Sequence, residues 1–328
     1  MLKFWQNYQD IQKKLDLVQS LMIERLKIND SDLQEVLEKS INQGGKMVRP
    51  ALFLIFTQVF DKESQHKKQE DYIKIATSLE LLHLATLVHD DIIDDSSLRR
   101  GSETVQSQFG KDVAVYTGDF IYTIYFELLC ETMIDTPFLL RNAKSMKKIL
   151  QGELIQKQGT FNTEISIHKY LKAISGKTAE LLSLACLEGA YFAGADRAMQ
   201  HSAKKIGLAI GLAFQIYDDI LNFTIDTKAS NKPVLTDVKQ GIFTLPLLLA
   251  KETAPEQIRP YMEKAKDLTD EECLNLAHLV EELGGIKQSM ELANGLTNLA
   301  LAEIDKLPQS PYRETLNQAT QLLLKRKY

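Results

Sequence analysis

Proline sets the strongest limit on what this chain can fold into. Among its 328 residues there are eight prolines, and the stretches 51–136 and 138–232 contain none. A many-stranded sheet needs turn residues more often than that, whereas long helices exclude proline from their interiors. The apolar spacing agrees. Ile75, Leu79, Leu82, Thr86 (through its methyl) and Ile93 recur at helical intervals over 72–95, as do Ile206, Ile210, Ala213 and Ile220 over 203–223. Strict two-residue alternation is sustained nowhere. The chain reads as all-α. No low-complexity tract or linker divides it, so a single domain over 1–328 is expected. Three polar stretches, 61–70, 96–112 and 224–241, read as connections; the last directly follows an acidic motif, where loops often carry function.

Composition narrows the function. Hydrophobic residues make up 44% and charged residues 25%, the balance of a soluble globular protein. The net charge is −5, with Lys and Arg scattered along the chain, which argues against a nucleic-acid partner. Cys130, Cys186 and Cys273 are far apart and sit in apolar helical patterns, as buried thiols in a reducing cytoplasm would. The opening MLKFWQNYQD lacks the apolar run of a secretory leader. No apolar run approaches the ~18 residues of a membrane span. A cytoplasmic protein with at most peripheral membrane contact is expected.

Chemistry concentrates in three places. Asp90, Asp91 and Asp94 follow a strongly apolar run and share one helical face, where they repel one another unless a cation lies between them. The same grammar returns at Phe214-Gln215-Ile216-Tyr217-Asp218-Asp219, 128 residues further on, and ends in Asn222. Oxygen ligands without a neighbouring Cys or His set favour Mg²⁺, which commonly shares its shell with substrate phosphates. The third place is cationic: Lys46 and Arg49 after Gly44-Gly45, Arg99 and Arg100 before Gly101, and Lys177 in Gly176-Lys177-Thr178. Such groups together suit more than one phosphate.

With these residues in view, the chain resembles the trans-polyprenyl diphosphate synthases over nearly its whole length. The matching run is GGKxxRP at 44–50, DDxxD at 90–94, Leu98-Arg99-Arg100-Gly101, Gly118-Asp119-Phe120, Gly176-Lys177-Thr178, FQxxDD at 214–219, Thr244-Leu245-Pro246 and Leu307-Pro308. The resemblance implies the isoprenoid synthase fold: a single-domain bundle of long antiparallel helices around a central cavity, usually a homodimer, in some cases a heterodimer with a small subunit. It implies Mg²⁺, with Mn²⁺ as a substitute, bound by Asp90, Asp91, Asp94, Asp218 and Asp219. Arg99, Lys177, Gln215 and Lys232 would contact the allylic diphosphate. Lys46, Arg49, His83 and Arg100 would hold isopentenyl diphosphate. Lys177, Thr178 and Gln215 would take part in catalysis, with Thr178 near the reacting carbons. His89 reads as structural.

The same resemblance addresses product length. Ala85, five residues before Asp90, stands where short-chain members carry Phe or Tyr, so a tunnel past Ala85 and Leu82 would stay open. This implies a medium or long product, as in the hexaprenyl, heptaprenyl and octaprenyl synthases, with Tyr122, Tyr125 or Phe126 as bulky candidates for its floor. Two departures stand out. Asn222 replaces the usual third Asp, and Ile242 occupies a position that is often Lys, for which Lys239 is a stand-in. A farnesyl or geranylgeranyl synthase is the shorter-chain alternative, although the two-residue gap between Asp91 and Asp94 disfavours bacterial farnesyl synthases. A terpene cyclase fits worse, because residues 222–230 lack an NDxxSxxxE pattern. A non-catalytic subunit would have lost metal ligands that are present here.

Overall fold

A computed structural model describes residues 3–43, 45–60, 66–223 and 235–324. It is built almost wholly from helices: α1 Gln9–Arg25, α2 Ser31–Asn42, α3 Val48–Phe60, α4 His66–Ile93, α5 Val105–Phe109, α6 Lys111–Met133, α7 Phe138–Gln158, α8 Ile167–Ile174, α9 Glu180–Phe192, α10 Arg197–Leu221, α11 Thr236–Lys239, α12 Leu245–Thr253, α13 Pro255–Glu263, α14 Asp270–Glu282, α15 Gly285–Ile304 and α16 Pro311–Leu324. The strands among the described residues are β1 Leu98–Arg99 and β2 Ser102–Glu103, one short hairpin.

The prolines mark helix starts, as their missing N–H allows. Pro50, Pro246, Pro255 and Pro311 fall in first turns, and Pro137 immediately precedes α7; Pro260, inside α13, is the exception. Side-chain caps do the same work elsewhere. Asp30 accepts from the backbone N–H groups of Asp32 and Leu33, and Thr269 with Glu272 closes a capping box on α14. The polar stretch 61–70 is shorter than the sequence suggested, because α4 already begins at His66. The stretch 96–112 holds the hairpin and α5.

The coordinates cluster into two compact units. The first comprises Met1–Ala143, Ala185–Gln200 and Pro308–Thr315. Its centre is α3, buried at every position from Pro50 to Thr57, together with α4 and α6. α4 and α6 run antiparallel. His89 of α4 fills the space over Gly118, and Lys74 of α4 bonds Glu131 of α6 at 3.1 Å. By length and composition α6 could cross a membrane, which corrects the expectation that no segment would qualify. Its stripe of Gly118, Tyr125 and Leu129 is nonetheless buried, as in the core helix of a folded domain.

The second unit comprises Lys144–Leu184, His201–Leu307 and Leu316–Tyr328. Here α12 packs on α15 and on α8. The backbone between α8 and α9 widens into a π-helical turn at Ser175–Ala179, with Glu180 N–H donating to Ser175 O five residues back.

Candidate active site

In the first unit α4 opens on polar residues, becomes largely apolar from Ile75 to Val88 and then ends in carboxylates. Asp94 N–H still donates to Asp90 O at 2.9 Å, and the left-handed backbone of Asp95 (φ 51°) stops the helix. Asp90 is half-buried, Asp91 buried and Asp94 exposed. The hairpin comes next, with Arg100 and Gly101 at its tip (φ 53° and 83°). Two successive positive φ values give the turn type that matches strand twist. Arginine adopts this conformation at a cost, and here it sends two arginines to different places. Arg99 grips Asp91, with Nε 2.9 and 3.0 Å from its two oxygens and one terminal nitrogen at 2.7 Å. Arg100 lies against Gly45; a methyl group on Gly45 would sit 2.8 Å from the Arg100 guanidinium, which would have to shift to make room.

Arg49, Glu80 and His83 complete this cluster. Arg49 Nε and Glu80 Oε2 are buried without a hydrogen-bond partner. Burial lowers the His83 pKa well below its ordinary value, and Arg49, Arg100 and Arg99 push the same way, so the imidazole is neutral. Burial raises Glu80 against the pull of Arg49 and Arg100. Burial also lowers Arg49, with Glu80 opposing and Arg100 adding. Three guanidinium groups act on the His83 imidazole, and two of them on Glu80, forming an electropositive cluster that an anion would complete. Lys46 stands at its margin. Its carbonyl accepts from Trp5 Nε1 at 2.5 Å, and its exposed ammonium lies 5.0 Å from the Phe4 ring.

In the second unit the π turn carries Lys177 and Thr178. Gly152 and Gly176 bring two backbones together there: a methyl on Gly176 would lie 2.6 Å from Lys148 O. Lys177 Nζ bonds Glu153 Oε2 at 2.8 Å and Gln156 Oε1 at 3.0 Å. Thr178 Oγ1 donates to Gln215 Oε1 at 2.8 Å, and Gln215 Nε2 donates to Asp219 Oδ1 at 2.9 Å. The other oxygen of Asp219 accepts from Tyr170 OH. Asp218 is exposed and Asp219 buried. Burial pushes the Asp219 pKa up to about 7; Tyr170 and Gln215 pull it down, while Asp237 and Asp218 add to the rise. Asp237 is raised by burial and then by Asp218, with Lys177 opposing. Asn222 donates its amide to Asp237.

The structure thus gathers Arg49, His83, Arg99, Arg100 and Asp91 in one unit, and Lys177, Thr178, Gln215, Asp218 and Asp219 in the other. Lys232 and Gly44 lie outside the described residues. Lys239 bonds Asp270 at 2.8 Å. Ala85 and Leu82 are fully buried, and Tyr122 is half-buried with its ring 5.5 Å from His89. Phe126 is 40% exposed, whereas its neighbour Tyr125 fills the interior. Sequence reasoning missed Glu80, Glu153, Tyr170 and Asp237. Asp237 could have been suspected from its place in the polar stretch after the second motif; the others carry no local signal. Among the described residues no three carboxylate, imidazole or thiolate groups already converge as a ligand shell. Asp91 and Asp219 are held instead by Arg99, Tyr170 and Gln215.

Comparison with known proteins agrees with this chemistry. Residues 30–283 match the family model described as Polyprenyl synthetase. Heptaprenyl diphosphate synthase component 2 of Bacillus subtilis is 30% identical, over 100% of this chain and 92% of that protein. The crystal structure of geranylgeranyl pyrophosphate synthase from Lactobacillus brevis superposes with a TM-score of 0.92 at 34% identity, covering 99% of this chain and 100% of the other. Heptaprenyl diphosphate synthase from Staphylococcus aureus gives 0.88 at 31%, covering 96% and 98%. The chain therefore belongs to the polyprenyl synthetase family, with the all-α isoprenoid synthase fold, and is a trans-prenyltransferase.

Proposed function

We propose that this enzyme condenses isopentenyl diphosphate with an allylic diphosphate to give a linear all-trans polyprenyl diphosphate of hexaprenyl to octaprenyl length. The observation that carries the reading is the cluster of Arg49, Arg99 and Arg100 around neutral His83, with Arg49 Nε buried and unpartnered. It is suited to a multiply charged anion. In this reading Lys46, Arg49, His83 and Arg100 hold isopentenyl diphosphate, while Arg99, Lys177, Gln215 and Lys232 attend the allylic diphosphate.

Asp90, Asp91, Asp94, Asp218 and Asp219 would hold Mg²⁺, or Mn²⁺ in its place. Oxygen-only donors suit a hard cation; burial raises Asp219 and Asp237, and the repulsion from neighbouring carboxylates that adds to it is what a cation would relieve. When bound, the metal neutralises charge on the departing diphosphate. The chain's own groups do the rest. Arg99 and Lys177 stabilise charge building on the leaving oxygen. The Thr178–Gln215–Asp219 chain of hydrogen bonds orients the carboxylate and keeps Thr178 in place. In this reading the apolar residues that lead into each acidic motif exclude water from the allylic cation. The growing tail runs along α4 from Asp90 past Ala85 and Leu82.

A homodimer, with the exposed Tyr116, Phe126 and Ile134 of the α6 region contributing apolar surface, belongs to the same proposal. The word "component" in the Bacillus subtilis name is the reason to test a small second subunit against it. A cytoplasmic site of action, with peripheral membrane contact through the product, completes it. The test is incorporation of radiolabelled isopentenyl diphosphate by the purified chain with an allylic primer and Mg²⁺. Extractable polyprenyl product, lost in EDTA, supports the reading. No product from the chain alone, but product on adding a small subunit, would refute the homodimer. Incorporation unaffected by EDTA would refute the metal assignment.

A further inference from the structure

Two aromatic residues that the reaction scheme does not use sit against Lys46. Phe4 and Trp5 belong to the short 3₁₀ turn Lys3–Trp5. Both precede residue 30, where the match to the family model begins, so the arrangement lies outside the matched family pattern. Trp5 is the one tryptophan of the chain and has no exposed surface. A buried indole N–H needs an acceptor, and Trp5 Nε1 donates to Lys46 O at 2.5 Å. The Phe4 ring meets the Trp5 ring edge-on, with centroids 4.8 Å apart, and the Lys46 ammonium lies 5.0 Å from the Phe4 centroid. The turn is itself anchored. Tyr8 N–H donates to Trp5 O at 2.8 Å, and Asp10 of α1 accepts from Tyr312 OH at 2.9 Å.

The backbone explains why Lys46 needs such support. Met47 is buried in the left-handed conformation, φ 46°, and its carbonyl accepts the first bond of α3, from Ala51 N–H at 3.1 Å. That conformation is costly for a residue other than glycine and persists where the surroundings hold it. Lys46 therefore stands outside the helical ladder, and Trp5 gives its carbonyl the partner that the ladder does not. The segment 45–47 touches Arg100 through Gly45 and the aromatic pair through Lys46.

An exposed lysine on its flexible four-carbon stem loses rotamer freedom when it grips an anion. A ring face against the ammonium restricts the stem beforehand and leaves N–H donors for phosphate oxygens. We propose that Phe4 and Trp5 are positioning residues of the isopentenyl diphosphate site: Trp5 fixes the backbone of Lys46, and Phe4 orders its ammonium before the diphosphate arrives. The inference rests on the assignment of Lys46 to isopentenyl diphosphate argued above and deepens it by naming what presents the lysine.

Steady-state kinetics of the full-length enzyme, with each substrate varied against saturating amounts of the other, test it. Phe4→Leu keeps the bulk but removes the aromatic face. Its KM for isopentenyl diphosphate should rise about two- to fivefold, the range of an exposed cation–π contact, with kcat and the allylic KM unchanged. Phe4→Tyr, which keeps the face, should restore the wild-type value. Trp5→Phe, which keeps a ring but removes the N–H, should raise the same KM. Lys46→Ala should raise it too, and in Phe4→Leu/Lys46→Ala the Phe4 change should add nothing further. A merely structural pair would instead lower the melting temperature, act on both substrates and add to Lys46→Ala. A raised KM in Lys46→Ala beside a wild-type KM in Phe4→Leu, or additive losses in the double variant, overturns the inference and leaves the function intact. A wild-type KM in Lys46→Ala, or a wild type that makes no polyprenyl product, overturns the reading of the site and the inference with it.

Discussion

Arg99 and Asp91 form a three-contact ion pair, Nε and a terminal nitrogen of the guanidinium meeting both carboxylate oxygens at 2.7 to 3.0 Å. One carboxylate of the first acidic motif is thereby neutralised by protein. Arg99→Ala should remove a stabiliser of leaving-group charge and lower turnover roughly a hundred- to thousandfold. It also leaves Asp91 buried and unpaired. Because Arg99 is about one-third exposed, the stability loss should be nearer about 1 kcal/mol than the larger cost of breaking a fully buried pair. Arg99→Lys should recover charge but not the fork geometry and fall between the two. Single-turnover kinetics and thermal melts read both effects.

Metal removal should abolish turnover. Asp90→Ala and Asp218→Ala should each cost roughly a hundred- to thousandfold without unfolding the protein. Burial pushes the Asp219 pKa up to about 7, so Mg²⁺ bound at the proposed site would displace a proton. Affinity should rise as pH climbs through 7 and level off above it. Calorimetry in buffers of different ionisation enthalpy should show proton release near pH 6.5, and an identical heat in all buffers would contradict it.

Two cations separate the two substrates. Arg49→Ala should chiefly raise the KM for isopentenyl diphosphate, whereas Lys177→Ala should chiefly lower kcat or affect the allylic substrate. Equal damage to both substrates in both variants would mean that the assignment of the two diphosphate positions is wrong.

Ala85 has no exposed surface. Ala85→Phe should shorten the product sharply while metal affinity is preserved, at a packing cost of about 1–3 kcal/mol. Thin-layer analysis of the extracted products decides it; an unchanged chain length would refute the open path beside Ala85.

Glu188 supplies a stability test independent of activity. Its folded pKa, about 8, lies above the ordinary glutamate value. The unfolded chain therefore releases the proton at lower pH than the folded one. Glu188 costs nothing below the glutamate range, and its penalty grows as pH rises toward 8, reaching a few kcal/mol at most. Denaturant midpoints for the wild type should fall across this window. Glu188→Gln, with no proton to lose, should flatten that dependence and be the more stable form at pH 8.5.

How far the sequence reaches can be seen residue by residue. The ends of α4 and α10 were legible because an apolar helical stripe running into adjacent aspartates is local information. The all-α class was legible from the proline-free stretches 51–136 and 138–232. Partnership was not. Tyr170 reaches Asp219 across 49 residues and Asn142 reaches Glu188 across 46, and neither has any signature in its neighbours. The choice between Tyr125 and Phe126 also needed coordinates, because adjacent aromatics on one helix differ by about 100° in direction, and only packing decides which faces inward. Asn222, which replaces the usual third Asp, donates its amide to Asp237, a partnership that its neighbours in sequence do not signal.

The π turn at Ser175–Ala179 acts as a phase shifter between α8 and α9. Such a turn accommodates one residue more than an α-helical turn would. Deleting a single residue from it would leave a continuous helix, yet rotate α9 by about 100° relative to α8. Lys177 and Thr178 would then lose their alignment with Glu153 and Gln215 while the helix itself gained regularity. Local smoothness and chemical competence therefore pull in opposite directions at this point, and a screen that selects for helix stability alone would discard the feature that aims the lysine.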